Sequence, residues 1–340
     1  MWRNPMSAGR SFDKPTSVAL GHSTISPQLS PKFHQAHDKQ CSWTHVNVRD
    51  RLTGDACQMT SESVQELSFA TFEHAAWRSM SPHYHGLAGR ITRQAVSPLL
   101  DRAKVRRGDV LLDVATGPGY VAAAARELGA RVLGLDFLEE MIAQARRTFP
   151  TLAVDLGDAE NLPYEHGSFD IVTCAFGMLH FPWPGRATAE VWRVLRPRGR
   201  FLFTVWCESR RSRLFATIAE VVQRFSDPTV ARLPTGPGAF MLSDPMVSVA
   251  VMEAAGFSDV RVEEVPCYFN LTTRGEMREF LHKCAPRALP IYRAQSAEVR
   301  ARIDSALEDE GSRVLAEGGQ VECPVLMVSG VRRGAPWQSF

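Results

Sequence analysis

Three short apolar runs, each followed by an acidic residue, restrict residues 110–158 to very few architectures. Val110-Leu111-Leu112 leads into Asp113, Val132-Leu133-Gly134-Leu135 ends at Asp136, and Leu152-Ala153-Val154 is followed by Asp158. Helix-forming sequence separates the first two runs and follows the second, an alternation that reads as an α/β fold with a doubly wound, mostly parallel sheet. Ligands of such sheets bind outside the carboxyl ends of the strands. The three carboxylates are therefore expected to line one crevice.

What each carboxylate could hold narrows the ligand. Gly117 and Gly119, in the loop Ala115-Thr116-Gly117-Pro118-Gly119, allow a tight turn and a close approach to backbone, and the helix expected from Tyr120 offers free amides to a carboxylate. Asp113 places negative charge where a diphosphate would be repelled and an amino-acid ammonium attracted. Asp136 ends the second strand, the usual place of an acid that holds a ribose diol. Asp158, with the Ala159 amide, can meet the amino group and ring nitrogen of adenine. Ammonium, carboxylate, ribose and adenine add up to an adenosyl amino acid, S-adenosylmethionine. Gly117-Pro118-Gly119-Tyr120-Val121-Ala122 also satisfies a dinucleotide pattern with an acid downstream, so a nicotinamide-dependent oxidoreductase is the competing reading; a lone match of that kind is weak, and Asp113 opposes it.

Four stretches resemble the class I S-adenosylmethionine-dependent methyltransferases, particularly their ubiquinone/menaquinone-biosynthesis-like branch. They are VLLDVATGPGYVA (110–122), VLGLDFLEEMIAQAR (132–146), GDAENLPYEHGSFDIVTCAFGMLHF (157–181) and VWRVLRPRGRFLFTVW (191–206). The resemblance implies a Rossmann-like sheet of seven strands, the last inserted antiparallel beside the fifth, with a helical cap before the first strand. It implies cofactor contacts at Asp113, Ala115, Gly117, Gly119, Asp136, Phe137, Met141, Asp158, Ala159 and Ala175.

Residues 1–58 are rich in Ser, Pro, His and Gln without a sustained apolar period, and read as a disordered tail. Their basic bias, Arg3, Arg10, Lys14, Lys32 and Lys39 against Asp13 and Asp38 through residue 40, fits an organelle-targeting segment or an upstream extension of the reading frame ahead of Met59. A helical cap is expected over 59–104, with Phe69, Phe72, Ala76 and Met80 on one face, a break at Pro82 and a second helix from Leu87 to Leu100. The cofactor-binding core follows over 105–206, with Arg196-Pro197-Arg198-Gly199-Arg200 as the turn before its fifth strand. A lid insertion spans 207–243, since a long excursion after a carboxyl strand end is often an active-site cover. The C-terminal part, 244–333, contributes the last strands and helices over 274–284 and 296–316, and 334–340 is a short tail.

A formal charge of +2 over 340 residues gives no bulk argument for nucleic acid, and the Asn/Asp-Pro-Pro-aromatic signature of amino-methylating DNA enzymes is absent. No apolar run approaches the ~20 residues that span a bilayer. The seven cysteines form no CxxC pair, so neither a metal site nor a disulfide framework is expected and a cytoplasmic setting is favoured.

Methyl transfer from a sulfonium is an in-line displacement, and the protein's main task is to hold the acceptor against the methyl with water excluded. A base is needed only if the acceptor must lose a proton. His180, just beyond the fourth strand, is placed to be that base, or else packs beside the cofactor. Phe176, Met178, Phe181 and Trp183, with Tyr84 from the cap and Phe215 and Phe240 from the lid, could wall a pocket for a small, largely apolar or aromatic acceptor. A domain that binds the cofactor without transferring the methyl is the remaining alternative.

Overall fold

Consecutive residues of the central strands bury themselves on opposite faces of one sheet. In the computed structural model, which describes residues 68–334, Leu111, Ile171, Leu202, Val325 and Met327 join one core, whereas Leu112, Val172, Phe201, Phe203, Leu326 and Val328 join the other. Strands buried on both faces lose the polar alternation of a half-exposed sheet and read as the continuous apolar runs of the sequence.

The sheet has seven strands: β1 Val110–Val114, β2 Arg131–Asp136, β3 Ala153–Leu156, β4 Phe169–Ala175, β5 Leu195–Trp206, β6 Phe257–Val265 and, after a separate two-stranded ribbon of β7 Tyr268–Asn270 with β8 Gln320–Glu322, β9 Val325–Arg332. Their order is β3-β2-β1-β4-β5-β9-β6. The first five run parallel, and β9 enters antiparallel between β5 and β6. The chain winds outward from β1 through β2 to β3, then crosses to β4 on the other side. The strand order therefore reverses between β1 and β4, where such sheets bind ligands. Parallel register brings Asp113 opposite Gly134 and Thr173, and Asp136 opposite Leu156, so the carboxyl ends finish along one edge.

Helices cover both faces. On one side lie α1 Phe69–Tyr84, α2 Ala88–Thr92, α3 Val96–Ala103 and α4 Tyr120–Glu127; α5 Glu139–Thr148 follows β2, and α6 Pro184–Val194 packs on the face opposite α1. The segment after β5 carries α7 Arg213–Phe225, and α8 Pro245–Ala254 precedes β6; α9 Glu276–Cys284, α10 Ala288–Arg293 and α11 Ala297–Ala316 complete the set. Starts are set locally: Ser68, Ser212, Asp244 and Ser296 each accept a backbone N–H of the first turn. Gly256, at φ +95, follows the end of α8 in the left-handed conformation that terminates helices.

Several expectations are corrected. Pro82 does not interrupt the first helix: it sits in the last turn of α1, where the Arg78 carbonyl that would have lost its partner accepts the Ser81 hydroxyl at 3.3 Å. The second cap helix is two helices, α2 and α3, joined by a 3-10 turn at Arg93–Ala95. The basic turn 196–200 lies inside β5 as an irregularity, with Leu195 paired to Phe169, Arg200 paired to Ile171 and Arg198 at φ 67. The β7–β8 ribbon and α10 were not expected; three-residue strands carry too little periodicity to be seen. The tail over 1–58, the cap before residue 68 and the tail after 334 lie outside the described residues.

Phe201 is fully buried and its ring meets Phe203 and Phe257 at centroid distances of 5.5 and 5.7 Å. Phe201→Ala should cost about 3–5 kcal/mol, by loss of burial and the cavity left behind. Urea unfolding followed by circular dichroism measures it; a loss below about 1 kcal/mol would mean that this side of the sheet is not close-packed.

Candidate active site

Two buried aspartates organise the edge where the strands end. Asp113, 1% exposed, accepts the hydroxyls of Thr116 and Thr173, each at 2.7 Å, one on each carboxylate oxygen. Asp136, 4% exposed, accepts the Gly117 N–H at 2.8 Å and the Leu138 N–H at 3.0 Å. These four bonds tie the glycine loop to the end of β4 and to the turn after β2. Burial pushes the Asp113 carboxyl up to about 6, against its threonine partners, and the Asp136 carboxyl up to about 6, against its backbone donors and with a contribution from the nearby Asp113 charge.

The backbone is strained at the same place. Ala115, just past β1, and Phe176, just past β4, both have positive φ, 52 and 61; residues other than glycine and asparagine hold such angles only where surrounding contacts impose them. Gly177 shows how tight those contacts are, since a Cβ there would stand 2.5 Å from Cβ of Ala115 and 2.7 Å from Sγ of Cys174. Gly117 is different: at φ 51 it has no atom within 4 Å of the Cβ position and faces open space.

That space is a cavity of about 1260 Å³. Ala115, Gly117, Asp136, Phe137, Met141, Asp158, Ala159 and Ala175 line its polar end. Tyr84, Phe176, Phe181 and Trp183 line it too, as do His180 and, from the excursion after β5, Phe215 and Phe240. A second cavity of about 40 Å³ shares Tyr84, Ala115, Gly117, Pro118, Ala175 and Phe176 with the first and is lined in addition by Asp113 and Thr116. Asp113 thus faces a side chamber next to the glycine loop. Its first wall includes Tyr84, whose phenol donates to Thr92 and is held protonated by burial.

Two of the expected residues do not line either cavity. Gly119 (φ +85) faces the packing behind the loop, where a Cβ would stand 2.8 Å from Leu152, so its role is to let β3 and α5 pack closely. Met178, 1% exposed, belongs to the core beneath the sheet edge, and its neighbour Leu179 lines the cavity instead.

The roof is where sequence reading falls short. On α1 the buried face is carried by Phe69, Glu73 and Met80, while Phe72 and Ala76 are only half-buried. Glu73 is 1% exposed and lines the cavity with His74 and Trp77. Its Oε2 lies 2.8 Å from Nδ1 of His180, and its Oε1 accepts the Arg287 Nε–H at 3.2 Å. Burial works to raise the Glu73 carboxyl, but the attraction of His180 and Arg287 outweighs it and holds it below the usual range. Arg287, between α9 and α10, also donates to the Pro237 carbonyl at 2.6 Å and the Leu179 carbonyl at 2.8 Å. One guanidinium thereby joins the loop between α7 and α8, the turn after β4 and α1. Phe69 packs so closely on Gly236 that a Cβ there would stand 2.1 Å from its ring. Acidic, cationic and aromatic residues from four distant segments leave no short-range signal.

Aromatic rings continue inward: Phe176 meets Trp206 in a tilted contact at 4.4 Å, and edge contacts join Trp206 to Phe215 at 4.9 Å and Phe215 to Phe240 and Phe280, each at 5.9 Å. The cavity therefore has a carboxylate-and-glycine end and an apolar aromatic end. Among the described residues no helix is long and apolar enough to cross a membrane.

A family model described as a methyltransferase domain matches residues 112–203. The chain is 32% identical over 151 residues to demethylmenaquinone methyltransferase of Beutenbergia cavernae, covering 44% of this chain and 62% of that protein. To the enzyme of the same name from Deinococcus radiodurans it is 33% identical over 162 residues, covering 43% of this chain and 67% of that one. An uncharacterized 37.1 kDa protein in transposon TN4556 of Streptomyces fradiae is 36% identical over 148 residues, 42% of this chain and 43% of its own length. The chain thus spans between 43% and 67% of these curated relatives.

A carboxyl raised from 3.8 to about 6 on folding binds its proton more tightly in the folded chain, so ionising it costs stability that grows from pH 3.8 and is complete above pH 6. Asp113→Asn keeps the shape and can still serve both threonine hydroxyls. The unliganded variant should gain on the order of 2–3 kcal/mol over the parent above pH 6, a gain that shrinks towards pH 3.8. Thermal melts at pH 8 and pH 4.5 test this; an equal shift at both would exclude Asp113 ionisation as its source.

Proposed function

The chain belongs to the class I S-adenosylmethionine-dependent methyltransferases, and on that footing we propose that it transfers a methyl group to oxygen or carbon of a small, largely apolar or aromatic acceptor. The observation that carries this reading is the single cavity with two unlike ends. At about 1260 Å³ it exceeds the ~300–1,000 Å³ usual for one ligand, which leaves room for cofactor and acceptor side by side.

The residues present fit the cofactor. Gly117 offers open backbone, and Asp136 accepts the Gly117 and Leu138 N–H groups on different oxygens, which leaves acceptor capacity for a ribose diol. Asp158 and the buried Ala159 stand at the same end for adenine, with Met141 and the half-exposed Phe137 as apolar walls. Asp113 gives the side chamber the negative charge that an ammonium group needs. When bound, the cofactor supplies a methyl carried on a positively charged sulfur.

The chain's own contribution is to bring the acceptor to that methyl and to keep water away. The aromatic end, from Phe176 and Trp206 to Phe215 and Phe240, holds an apolar acceptor through area and ring contacts. α1, the lid loop and Arg287 close the roof. His180 lines the cavity and has a carboxylate behind it, the arrangement of a general base.

Calorimetry on the purified chain with S-adenosylmethionine, S-adenosylhomocysteine, NADH and NADPH tests the reading: micromolar binding of the two sulfur compounds alone is expected, and binding of a nicotinamide alone would overturn it. Asp136→Ala should weaken cofactor binding by at least about 1.5 kcal/mol, since charge-assisted hydrogen bonds are lost; unchanged affinity would remove Asp136 from the ligand.

A further inference from the structure

We propose that Glu73 is the positioning residue of a carboxylate–imidazole pair through which His180 takes the proton of an aromatic hydroxyl, so that the acceptor is a phenol. The proposal rests on the methyltransferase reading above.

A carboxylate that is 1% exposed on a helix face looking into a cavity is costly unless it is paired. Glu73 is paired twice, and unequally. Arg287 holds Oε1 at 3.2 Å while spreading its other donors over two carbonyls, and Oε2 meets Nδ1 of His180 at 2.8 Å. A carboxylate oxygen only accepts, so Nδ1 must carry the hydrogen, and a neutral imidazole then presents its lone pair at Nε2. Nε2 has no hydrogen-bond partner among the described residues, and the ring lines the cavity. Trp77 meets the imidazole edge-on at 4.8 Å, fixing its plane. The carboxylate thus sets the tautomer, and it stabilises the imidazolium once a proton arrives.

The walls name the proton's owner. Trp77, which touches the imidazole, and Phe176, Phe181, Trp206 and Phe215 line the same cavity as His180, a wall that suits a planar aromatic acceptor. A phenolic hydroxyl, with a pKa of ~10 like that of tyrosine, is within reach of an imidazole base. In the step, the O–H bond breaks and its proton passes to Nε2. The electron pair left on the phenolate, at oxygen or at a conjugated ring carbon, forms the bond to the methyl carbon as the S–CH3 pair returns to sulfur. After attack by oxygen the imidazolium yields its proton to water; after attack by a ring carbon the resulting dienone gives its ring proton to water while the imidazolium returns its proton to the oxygen, which restores the aromatic phenol.

The full chain labelled with ¹⁵N-histidine tests the pairing without an acceptor. Long-range ¹⁵N–¹H spectra at pH 8, with His180 identified by its loss in His180→Asn, should show Nδ1 protonated and Nε2 bare. Glu73→Gln should shift His180 towards a mixture of tautomers. A wild-type His180 protonated at Nε2, or a tautomer indifferent to Glu73→Gln, overturns the proposal. The second arm uses ring-substituted phenols from unsubstituted phenol to 4-nitrophenol. Glu73→Gln should slow methylation of the weakly acidic phenols by on the order of 10²-fold yet leave 4-nitrophenol, already ionised at pH 8, within about 3-fold of wild type, a rescue that a merely structural role would not give. An equal loss across the series, or cofactor binding with no phenol methylated, sinks it. Failure to bind S-adenosylhomocysteine in calorimetry would instead remove the methyltransferase reading itself, and the proposal with it.

Discussion

The crevice exists because two buried carboxylates do the work of backbone partners. Asp136 satisfies amides at the start of the glycine loop and of the turn after β2, and Asp113 satisfies hydroxyls on that loop and on β4. They act beside the close packing of Gly177 on Ala115 and Cys174 in holding the left-handed Ala115 and Phe176 at the ends of β1 and β4. The parallel register provides the frame, since it brings three strand ends to one edge. The same charges that attract a ligand therefore also build its site.

That double duty has an electrostatic cost. Both carboxyls are pushed up to about 6 by burial, so near neutral pH each is ionised against an opposing desolvation. Hydrogen bonds strengthen with a charged acceptor in a medium of low dielectric, and a cationic or hydroxyl-rich ligand therefore gains more here than at a solvated carboxylate. The unliganded edge is left short of positive charge, and ligand binding relieves it. Strain and buried charge are commonly stored at sites of this kind.

Legibility follows from range. The strand ends and the glycine loop are local signals, and the apolar runs and acids point to the sheet and to residues that line the polar end of the cavity. Gly119 and Met178 each stand beside a cavity-lining residue, and only three-dimensional packing shows that a Cβ on Gly119 would meet Leu152 and that Met178 lies in the core. Glu73 was missed altogether. An acid on an amphipathic helix reads as solvent-facing, and nothing within ten residues reveals that His180 and Arg287 will meet it from 107 and 214 residues away. The ribbon β7–β8 escaped for the opposite reason, being too short to show a period.

The division between legible and hidden parts also bears on specificity. The family model covers residues 112–203, the stretch with the local signals, whereas Glu73, Trp77, Gly236, Phe280 and Arg287 lie outside it. A shared cofactor needs a shared edge, but an acceptor is recognised by whatever closes over it, and fold alone does not fix that choice. Here one guanidinium bonds the loop at Pro237, the turn bearing His180 and the buried acid of α1. Arg287 donates to the Pro237 carbonyl as well as to Glu73, so the buried acid and the loop around Pro237 share one partner.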